Sequence, residues 1–335
     1  MNVAVDAMGG DHAPGVIVRG AFLAVSELGI DITLVGHEEA IAEELSSYRS
    51  ADHITLHHCE EAVQMDEAPL KAVRKKKDAS IRVAFGLVKR GEADAVVSAG
   101  NSGATLAAAV LTLGRLKGVD RPALASIFPG EKAPVVLIDV GANVDCRPAH
   151  LFQFGVMAHA FTTSILGVEN PKIGLLSIGE ERSKGNEQVR LARELFKESK
   201  LNFVGNVEGR DIFTGDVEII VCDGFVGNVA LKLSEGMGEV MTKSLQRELM
   251  SSLMGRASLL LGSRPLGRFK RKLDYEAYGG APLLGINGVG IVCHGGSTPR
   301  AIKNAIKLAA QYVRDRGVDK MTGELNSIEA ETFAS

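Results

Sequence analysis

The chain has 335 residues, of which 45% are hydrophobic, 24% are charged and 38 are glycines. This length allows one large α/β domain or two modest ones, each with a substantial core. The formal net charge of -3 argues against a general nucleic-acid-binding protein, which needs an excess of basic residues. The apolar runs fall short of the roughly 20 residues of a membrane-spanning helix, and the N-terminal M-N-V-A-V-D has the pattern of a strand rather than of a signal peptide. We therefore expect a cytoplasmic protein.

Strand-like and helix-like runs alternate along the chain. In chain order, nine strands are predicted, at Val3–Asp6, Ile32–Gly36, Ile54–His57, Ala95–Ser98, Val135–Asp139, Ile173–Ser177, Phe203–Val207, Ile219–Cys222 and Gly290–Cys293. Helical patterns separate most of them, at Pro14–Leu28, Glu38–Ser46, Ser80–Arg90, Ala149–Leu166, Asn186–Lys200, Asn228–Leu249 and Pro299–Arg314. Such alternation is typical of βαβ units, whose right-handed crossovers place helices on both faces of a sheet. The predicted fold is a three-layer α/β/α sandwich with a mostly parallel sheet.

Two segments interrupt this alternation. One is Met250–Tyr278, and the other is the polar, glutamate-rich tail after Val318, for which we expect frayed structure. The predicted organisation is a single domain over residues 1–318, with a protrusion at 245–275 and a polar tail at 319–335. Four scattered cysteines have no C-x-x-C pairing, so we expect reduced, buried thiols; they are Cys59, Cys146, Cys222 and Cys293.

Glycine-rich polar loops follow at least six of the predicted strands. They are D-A-M-G-G-D-H-A-P after Val5, S-A-G-N-S-G-A after Val97, D-V-G-A-N-V-D after Ile138, S-I-G-E-E-R-S-K-G-N-E after Leu176, E-G-R-D after Val207, D-G-F-V-G-N after Cys222 and C-H-G-G-S-T-P-R after Val292. A single loop of this kind is weak evidence, since turns need glycine anyway. Because ligands of open α/β sheets bind at the carboxyl ends of the strands, we expect all these loops at one edge, around a small charged ligand.

The loop after Val97 leads directly into an Ala/Leu-rich helix. Free backbone N–H groups and the helix dipole meet at such a start, and both favour a bound anion. The loop lacks the lysine of a P-loop, and its glycines do not have the dinucleotide-binding spacing. The loop by itself therefore predicts an anion site without identifying the anion.

Several charged side chains are candidates for this site, each with a structural alternative. Lys184 is interpreted either as an oxyanion ligand or as a solvated loop lysine. Arg300 stands at a helix start, where a cation opposes the dipole unless an anion or a partner carboxylate lies nearby. His12 and His294 occupy glycine-flanked loops. Three strand-end aspartates are interpreted as acceptors for neighbouring N–H groups rather than as metal ligands, because D-x-D spacing is absent; they are Asp139, Asp145 and Asp223.

Seven motifs occur in one order along the chain. They are D-A-M-G-G-D-H-A-P, V-V-S-A-G-N-S-G-A-T, D-V-G-A-N-V-D, S-I-G-E-E-R-S-K-G, C-D-G-F-V-G-N, L-D-Y-E-A-Y-G-G-A-P-L-L-G-I-N-G and H-G-G-S. From Met1 to about Arg316 the chain resembles the bacterial phosphate acyltransferases of phospholipid synthesis. The resemblance implies transfer of a fatty acyl group from the strongly acidic acyl carrier protein to inorganic phosphate, with no cofactor and no metal. The acyl phosphate is then used by a membrane glycerol-3-phosphate acyltransferase.

The resemblance also implies a fold related to phosphotransacetylase and to the isopropylmalate dehydrogenase group, a homodimer, and peripheral association with the inner face of the membrane. Phosphate at neutral pH is already a nucleophile, so no Ser-His-Asp apparatus is required. We expect phosphate to contact Asn101, Ser102, Gly103 and Lys184, with Asn228, Ser297 and Arg300 as further donors. His12 or Asp6 is predicted to handle a phosphate proton, and Lys184, His12 and Asp6 form the predicted catalytic set.

Apolar residues recur every four positions from Leu245 to Leu261, as on one face of a helix, and basic residues follow them. One interpretation is a core or dimer helix with a solvated basic loop. The other is an interfacial helix that contacts anionic lipid or the acidic carrier, and the two are compatible. The residues predicted to make the membrane or carrier contact are Leu253, Ala257, Leu260, Leu261, Arg264, Arg268, Lys270, Arg271 and Lys272.

Two other function classes compete with this interpretation. An NAD-dependent dehydrogenase needs G-x-G-x-x-G after its first strand and an acidic residue about 20 positions further on, whereas the chain has D-A-M-G-G-D. A non-catalytic module that binds carrier protein or membrane does not need so many polar strand ends. Phosphate-dependent release of a thiol from an acylated carrier discriminates all three.

Overall fold

The structure of the protein is a computed structural model that describes residues 1–48, 52–252, 254 and 278–332. Its strands are β1 (Asn2–Asp6), β2 (Asp31–Gly36), β3 (Ile54–His58), β4 (Ala95–Ser98), β5 (Ala123–Phe128), β6 (Val135–Ile138), β7 (Ile173–Leu176), β8 (Phe203–Val207), β9 (Ile219–Val221), β10 (Ala281–Leu284) and β11 (Val289–Val292). Its α-helices are α1 (Gly15–Leu28), α2 (Glu38–Leu45), α3 (Pro69–Lys75), α4 (Ser80–Lys89), α5 (Ser102–Thr112), α6 (Pro148–Phe161), α7 (Glu187–Glu198), α8 (Gly224–Met250), α9 (Pro299–Arg314) and α10 (Gly317–Thr332). A π-helical turn (Thr162–Leu166) extends α6, and a 3-10 helix (Gly209–Phe213) follows β8.

The strands form one sheet in the order β3-β2-β1-β4-β11-β10-β5-β6-β9-β7-β8. Side chains alternate across a strand, so β1 contributes to two apolar cores. Val3 and Val5 face the core beneath α1, α6 and α9, and Ala4 faces the core that α3, α4 and α5 cover. The predicted three-layer α/β/α sandwich is confirmed. All four cysteines carry free thiols, and Cys59, Cys222 and Cys293 are buried as expected, whereas the expectation is wrong for Cys146, which is half-buried.

The sheet reverses direction near its middle. The pairs β11–β10, β10–β5 and β5–β6 are antiparallel, and the remaining pairs are parallel. Three successive reversals leave β6, β7, β8 and β9 running opposite to β1, β4 and β11. The expectation that all glycine-rich loops share one edge is therefore wrong: those after β1, β4 and β11 lie at one edge, and those after β6, β7, β8 and β9 at the other.

The seven predicted helices are present, with small shifts at their ends. The frayed tail is a wrong expectation, because α10 covers residues 317–332 and buries Met321 and Leu325 beside α6. Two apolar side chains spaced four residues apart explain this docking, since they lie on one face of a helix. Among the helices described, none combines the length and the hydropathy needed to cross a membrane.

Candidate active site

The loop after β4 is held by buried hydrogen bonds. Ser98 Oγ donates to Asp6 Oδ2 at 2.7 Å and accepts from the backbone N–H of Gly100 at 3.1 Å. Gly9 packs so closely that a Cβ atom there would lie 2.7 Å from both Asp6 Oδ2 and the Gly100 nitrogen. Burial raises the pKa of the Asp6 carboxyl group, which is only 3% exposed. Through these contacts the buried Asp6 fixes the conformation of the loop after β4.

Asn101 caps the N-terminus of α5. Its Oδ1 accepts from the N–H of Ala104 at 3.1 Å, and its Nδ2 donates to the carbonyl oxygen of Met65 at 3.0 Å. The oxygen and the nitrogen of the Asn101 amide are therefore both engaged in hydrogen bonds that stabilise the local fold. The N–H groups of Ser102 and Gly103 belong to the first turn of α5, where N–H groups have no partner within the helix. They are the donors that this loop can offer to an anion.

The loop after β6 is organised around the buried carboxylate of Asp139. Five N–H bonds of 2.7–3.2 Å reach it, from the backbones of Leu124, Gly141, Ala142 and Asn143 and from the Asn143 side chain. Burial raises the pKa of Asp139, and these bonds oppose that shift. The interpretation of Asp139 as an N–H acceptor is confirmed.

Helix α8 begins against that loop. Asp223 caps it, with Oδ1 accepting from the N–H of Val226 at 2.9 Å, which confirms Asp223 as an N–H acceptor. Asp145 is exposed, and its backbone carbonyl accepts from Arg121 at 2.7 Å. A Cβ atom on Gly141 would lie 3.4 Å from Asn228 Oδ1, so the first turns of α8 are in close contact with the loop after β6.

A cavity of about 360 Å³ lies where the two halves of the sheet meet. Its volume is within the range of sites for small ligands. The walls are the loops after β4 and β11, parts of β5 and β10, and one face of α8. Val140, from the opposite edge of the sheet, also lines it. The reversal of strand direction therefore brings loops from both edges to one cavity.

One face of α8 supplies polar side chains to this cavity. Asn228, Lys232 and Glu235 line it together with Leu231, at the spacing of three and four residues that marks one helical face. Burial raises the pKa of Glu235, while His294 and Lys232 oppose the rise. Among the residues that the structure describes, Lys232 is the one lysine that lines the cavity.

The loop after β11 supplies the facing wall. The N–H of Gly296 donates to Nδ1 of His294 at 3.0 Å, so in the neutral imidazole the proton is on Nε2, which is then a hydrogen-bond donor. Ser297 is largely buried and also lines the cavity. Burial raises the pKa of the Cys293 thiol to about 12, which keeps it protonated at neutral pH and makes it a poor nucleophile.

The predicted site residues separate into two groups. Ser102, Asn228 and Ser297 line the cavity, and Asn101 and Gly103 flank Ser102 at the start of α5. The others are outside the cavity lining: Asp6 beneath the loop, His12 in the exposed loop after β1, Arg300 in the first turn of α9, and Lys184 in the exposed loop after β7. Their predicted roles stay predictions. The residues assigned to membrane or carrier contact, from Leu253 to Lys272, lie outside the described residues.

Lys232 and Glu235 line the cavity and were not predicted from the sequence. Both lie inside a predicted helix rather than at a strand end, where ligand-binding residues of an open α/β sheet are expected. Their spacing from Asn228, four and seven residues, places all three on one helical face. That spacing is the signal that would have found them.

The family model described as "Fatty acid synthesis protein" matches residues 1–321. The phosphate acyltransferase of Geotalea daltonii is 55% identical over 321 residues, which cover 96% of this chain and 92% of the relative. That of Nitratidesulfovibrio vulgaris is 54% identical and covers 94% and 92%. That of Pelotomaculum thermopropionicum is 48% identical and covers 98% and 96%.

Solved structures share the fold at low sequence identity. A phosphotransacetylase from Streptococcus pyogenes has a TM-score of 0.63 at 20% identity, covering 93% of this chain and 94% of its own. A 4-hydroxythreonine-4-phosphate dehydrogenase from Klebsiella pneumoniae has a TM-score of 0.54 at 15% identity, covering 93% and 99%. The predicted relation to the phosphotransacetylase fold is confirmed. The family match and the identities of about one half over nearly the whole chain decide membership: the chain belongs to the phosphate acyltransferase family and is an acyltransferase.

Proposed function

We propose that this acyltransferase moves a fatty acyl group from the thioester of acyl carrier protein to inorganic phosphate, and that the reaction takes place in the cavity beside α8. The observation that carries the site is the convergence of the α5 N-terminus, the His294–Ser297 loop and Lys232 on one cavity. A helix N-terminus and a cation suit a phosphate group. The apolar walls of the same cavity, including Leu124 and Leu231, suit the thioester end of an acyl chain.

The reaction requires no covalent intermediate on the protein. A phosphate oxygen attacks the thioester carbonyl carbon, the C–S bond breaks, and the carrier thiolate leaves as the acyl phosphate forms. A thiol with a pKa of about 8.5 is a tolerable leaving group without a strong acid. The protonated Cys293 is not needed as a nucleophile. Holding phosphate and carbonyl together contributes up to about 7–11 kcal/mol of the barrier reduction.

We assign the phosphate to the N–H groups of Ser102 and Gly103, the Ser297 hydroxyl and the Lys232 ammonium. His294, through Nε2–H, is the donor that we assign to the oxyanion that develops on the thioester carbonyl. Asn228 stands between these groups and the loop after β6. Lys184 is the competing cation predicted from the sequence, and the experiment below compares the two lysines.

The first test is the phosphate dependence of two alanine variants. Lys232→Ala is expected to raise the KM for phosphate roughly tenfold or more, because a hydrogen bond to a charged group contributes about 1.5–3 kcal/mol. Lys184→Ala has the same expected effect if that loop reaches the substrate. The control is Lys243→Ala on the same helix, where the lysine pairs with Glu239. Unchanged phosphate kinetics in Lys232→Ala contradict its assignment, and the same result in Lys184→Ala removes that lysine from the site.

The activity itself is tested by release of free thiol from an acylated carrier protein without NAD. The release should depend on phosphate and should leave acyl phosphate as the second product. Thiol release that is independent of phosphate contradicts the proposal.

We propose a homodimer that is built on the outer face of α8. Apolar side chains repeat there every three or four residues and are exposed in the single chain: Phe225, Val229, Leu233, Met237, Val240, Met241 and Leu245. Single exposed apolar residues are normal on a protein surface, whereas a continuous apolar stripe of this length is typical of an interaction site. A second copy of the chain would cover it with an identical stripe.

We also propose, from the sequence alone, peripheral membrane association through the leucine-rich and basic segment that ends at Lys272. Leu260→Glu with Leu261→Glu is expected to release the protein from vesicles that contain anionic phospholipid, because inserted apolar side chains provide most of such binding. Turnover of the soluble substrates should persist. Undiminished vesicle binding in this variant contradicts the membrane role.

A further inference from the structure

Helix α3 and its C-terminal end carry a dense group of cations. The stretch P-L-K-A-V-R-K-K-K, residues 69–77, contains five basic residues and no acidic one. Lys71, Arg74, Lys75 and Lys77 are exposed, whereas the fifth, Lys76, is bound to Glu67 at 2.6 Å. Within the described residues no ion pair involves the four exposed cations. This helix face is therefore strongly positive on a protein whose net charge is -3.

Stabilisation of α3 by its own cations explains only some of these basic residues. Arg74 and Lys75 lie in the last turn, where cations interact favourably with the helix dipole. Lys71 lies in the first turn, where the dipole opposes it. It is also four residues from Lys75, and like charges at this spacing destabilise a helix. A partner with negative charge would remove both costs.

The helix that carries these cations packs against the start of α5, which lines the cavity. Pro69, the first residue of α3, packs on α5, since a Cβ atom on Gly103 would lie 2.8 Å from Pro69 Cγ. The preceding loop is tied to the same helix start by the bond from Asn101 to the Met65 carbonyl. Met65 lines the cavity and is 47% exposed. Lys71, the first cation of α3, is thus two residues from Pro69, which packs against the start of α5 beside the cavity-lining Ser102.

Two exposed apolar side chains accompany the cations, Met65 on the cavity wall and Leu70 on α3. Met65 and Leu70 are each 47% exposed. A small apolar centre beside a charged rim is the composition of a protein-docking surface. Two exposed apolar residues, Leu70 on α3 and Met65 in the loop before it, offer little area for insertion into a membrane, where binding depends on a long apolar face.

We propose that the α3 surface docks the acidic acyl carrier protein so that its thioester arm enters the cavity past Met65 and Ser102. The docking surface consists of Met65, Leu70, Lys71, Arg74, Lys75 and Lys77. The proposal rests on the proposed function, which makes the carrier the acyl donor. Opposite charges on the two proteins accelerate their encounter and orient it, and the contiguity of surface and cavity lets docking and arm insertion occur together.

The test reverses two of the cations and compares two acyl donors. The variant is Lys71→Glu with Lys75→Glu, and its matched control is Lys307→Glu with Arg314→Glu, two exposed cations of α9 on the opposite face of the sheet. The donors are an acylated carrier protein and the corresponding acyl thioester of free pantetheine. Binding of the unacylated carrier to each variant is measured by titration calorimetry.

The α3 variant is expected to lose roughly tenfold or more in kcat/KM for the acylated carrier, the lower end of the effect of electrostatic steering on association. Its KM for phosphate and its kcat/KM for the pantetheine thioester should stay at the wild-type values, and its carrier affinity should fall to a similar extent. Added salt should lower the kcat/KM for the acylated carrier strongly in the wild type and much less in the variant. The α9 control should behave as the wild type.

Two results overturn the docking proposal. One is a carrier affinity and a kcat/KM for the acylated carrier that equal those of the α9 control. The other is loss of binding to phosphatidylglycerol vesicles with retained carrier kinetics, which assigns the cations to a membrane instead. A failure of the proposed function is recognised separately, because the wild type would then release no thiol in response to phosphate whatever the state of α3.

Discussion

At the scale of single residues, burial and hydrogen bonding separate groups that shape the site from groups that face it. Asp139 and Asp6 are both buried carboxyl groups that accept N–H or O–H bonds from glycine-rich loops. Glu235 lies on the cavity wall instead, where burial raises its pKa and His294 and Lys232 oppose the rise. Sequence patterns identified the first two as strand-end residues. They did not indicate the environment of Glu235, because its charged neighbours belong to two separate parts of the chain, α8 and the loop after β11.

The raised pKa of Glu235 predicts a pH-dependent stability difference from Glu235→Gln. Its pKa is 4.5 ordinarily and higher in the fold, so the folded state binds the proton more tightly than the unfolded state does. The wild type is therefore most stable relative to the variant below pH 4.5 and loses this advantage as the pH rises through the folded pKa. Urea unfolding between pH 4 and 8 measures the difference.

Glu239→Gln is the matched control for this experiment. The hydrogen bond from Lys243 lowers the pKa of Glu239, so its small contribution has the opposite sign and is lost as the pH falls. If the difference between wild type and Glu235→Gln does not change with pH, Glu235 has no raised pKa in the folded protein.

At the scale of elements, α8 has two faces with different surroundings. With 3.6 residues per turn, Asn228, Lys232 and Glu235 lie on one side of the helix, and Leu233 and Met237 lie on the other. The first side lines the cavity, whereas Leu233 and Met237 are 66% and 54% exposed. One helix therefore connects the site to the proposed dimer contact.

Leu233→Glu with Met237→Glu is expected to convert the proposed dimer to monomer, because four charges would meet across a two-fold contact and the apolar area would be lost. Sedimentation velocity measures the change. Thr242→Glu with Gln246→Glu, which adds the same charge on the opposite side of the same helix, should leave the dimer intact. Two variants of equal sedimentation coefficient contradict a dimer built on this face.

At the scale of the whole molecule, the reversal of the sheet determines where the site lies. The strands that produce it, β5 and β10, are the two that were not predicted from the sequence. β5 reads A-L-A-S-I-F and β10 reads A-P-L-L, short runs with little alternation and, in β10, a proline that weakens a strand assignment. The hairpin from β10 to β11 contains Asn287 and Gly288, the dipeptide that favours tight turns between antiparallel strands.

The packing of α10 predicts a cost for removing it. Truncation after Val318 exposes the surface that Met321 and Leu325 cover and is expected to reduce the free energy of unfolding by about 3–6 kcal/mol, from about 1.5–3 kcal/mol for each buried side chain. Chemical denaturation measures the loss. Truncation after Thr332 keeps both side chains and should match the full chain. Equal stability of the two truncated proteins contradicts the packing of this helix.

The sequence by itself determined the fold class, eight of the ten α-helices and nine of the eleven strands that the structure describes and, through its motifs, the family. The eight helices are the seven with predicted bounds and the Ala/Leu-rich one after Val97. These features are local, because the period of apolar residues and the residues of a loop are written in consecutive positions. Only the tertiary structure decided which loops meet. The direction of β6 relative to β4 depends on β10 pairing with β5 across more than 150 residues, and that reversal brings Lys232 and His294 to one cavity. The loop from Ser98 to Ala104 was identified from its sequence, but the cavity it lines is made by strands that no local pattern revealed.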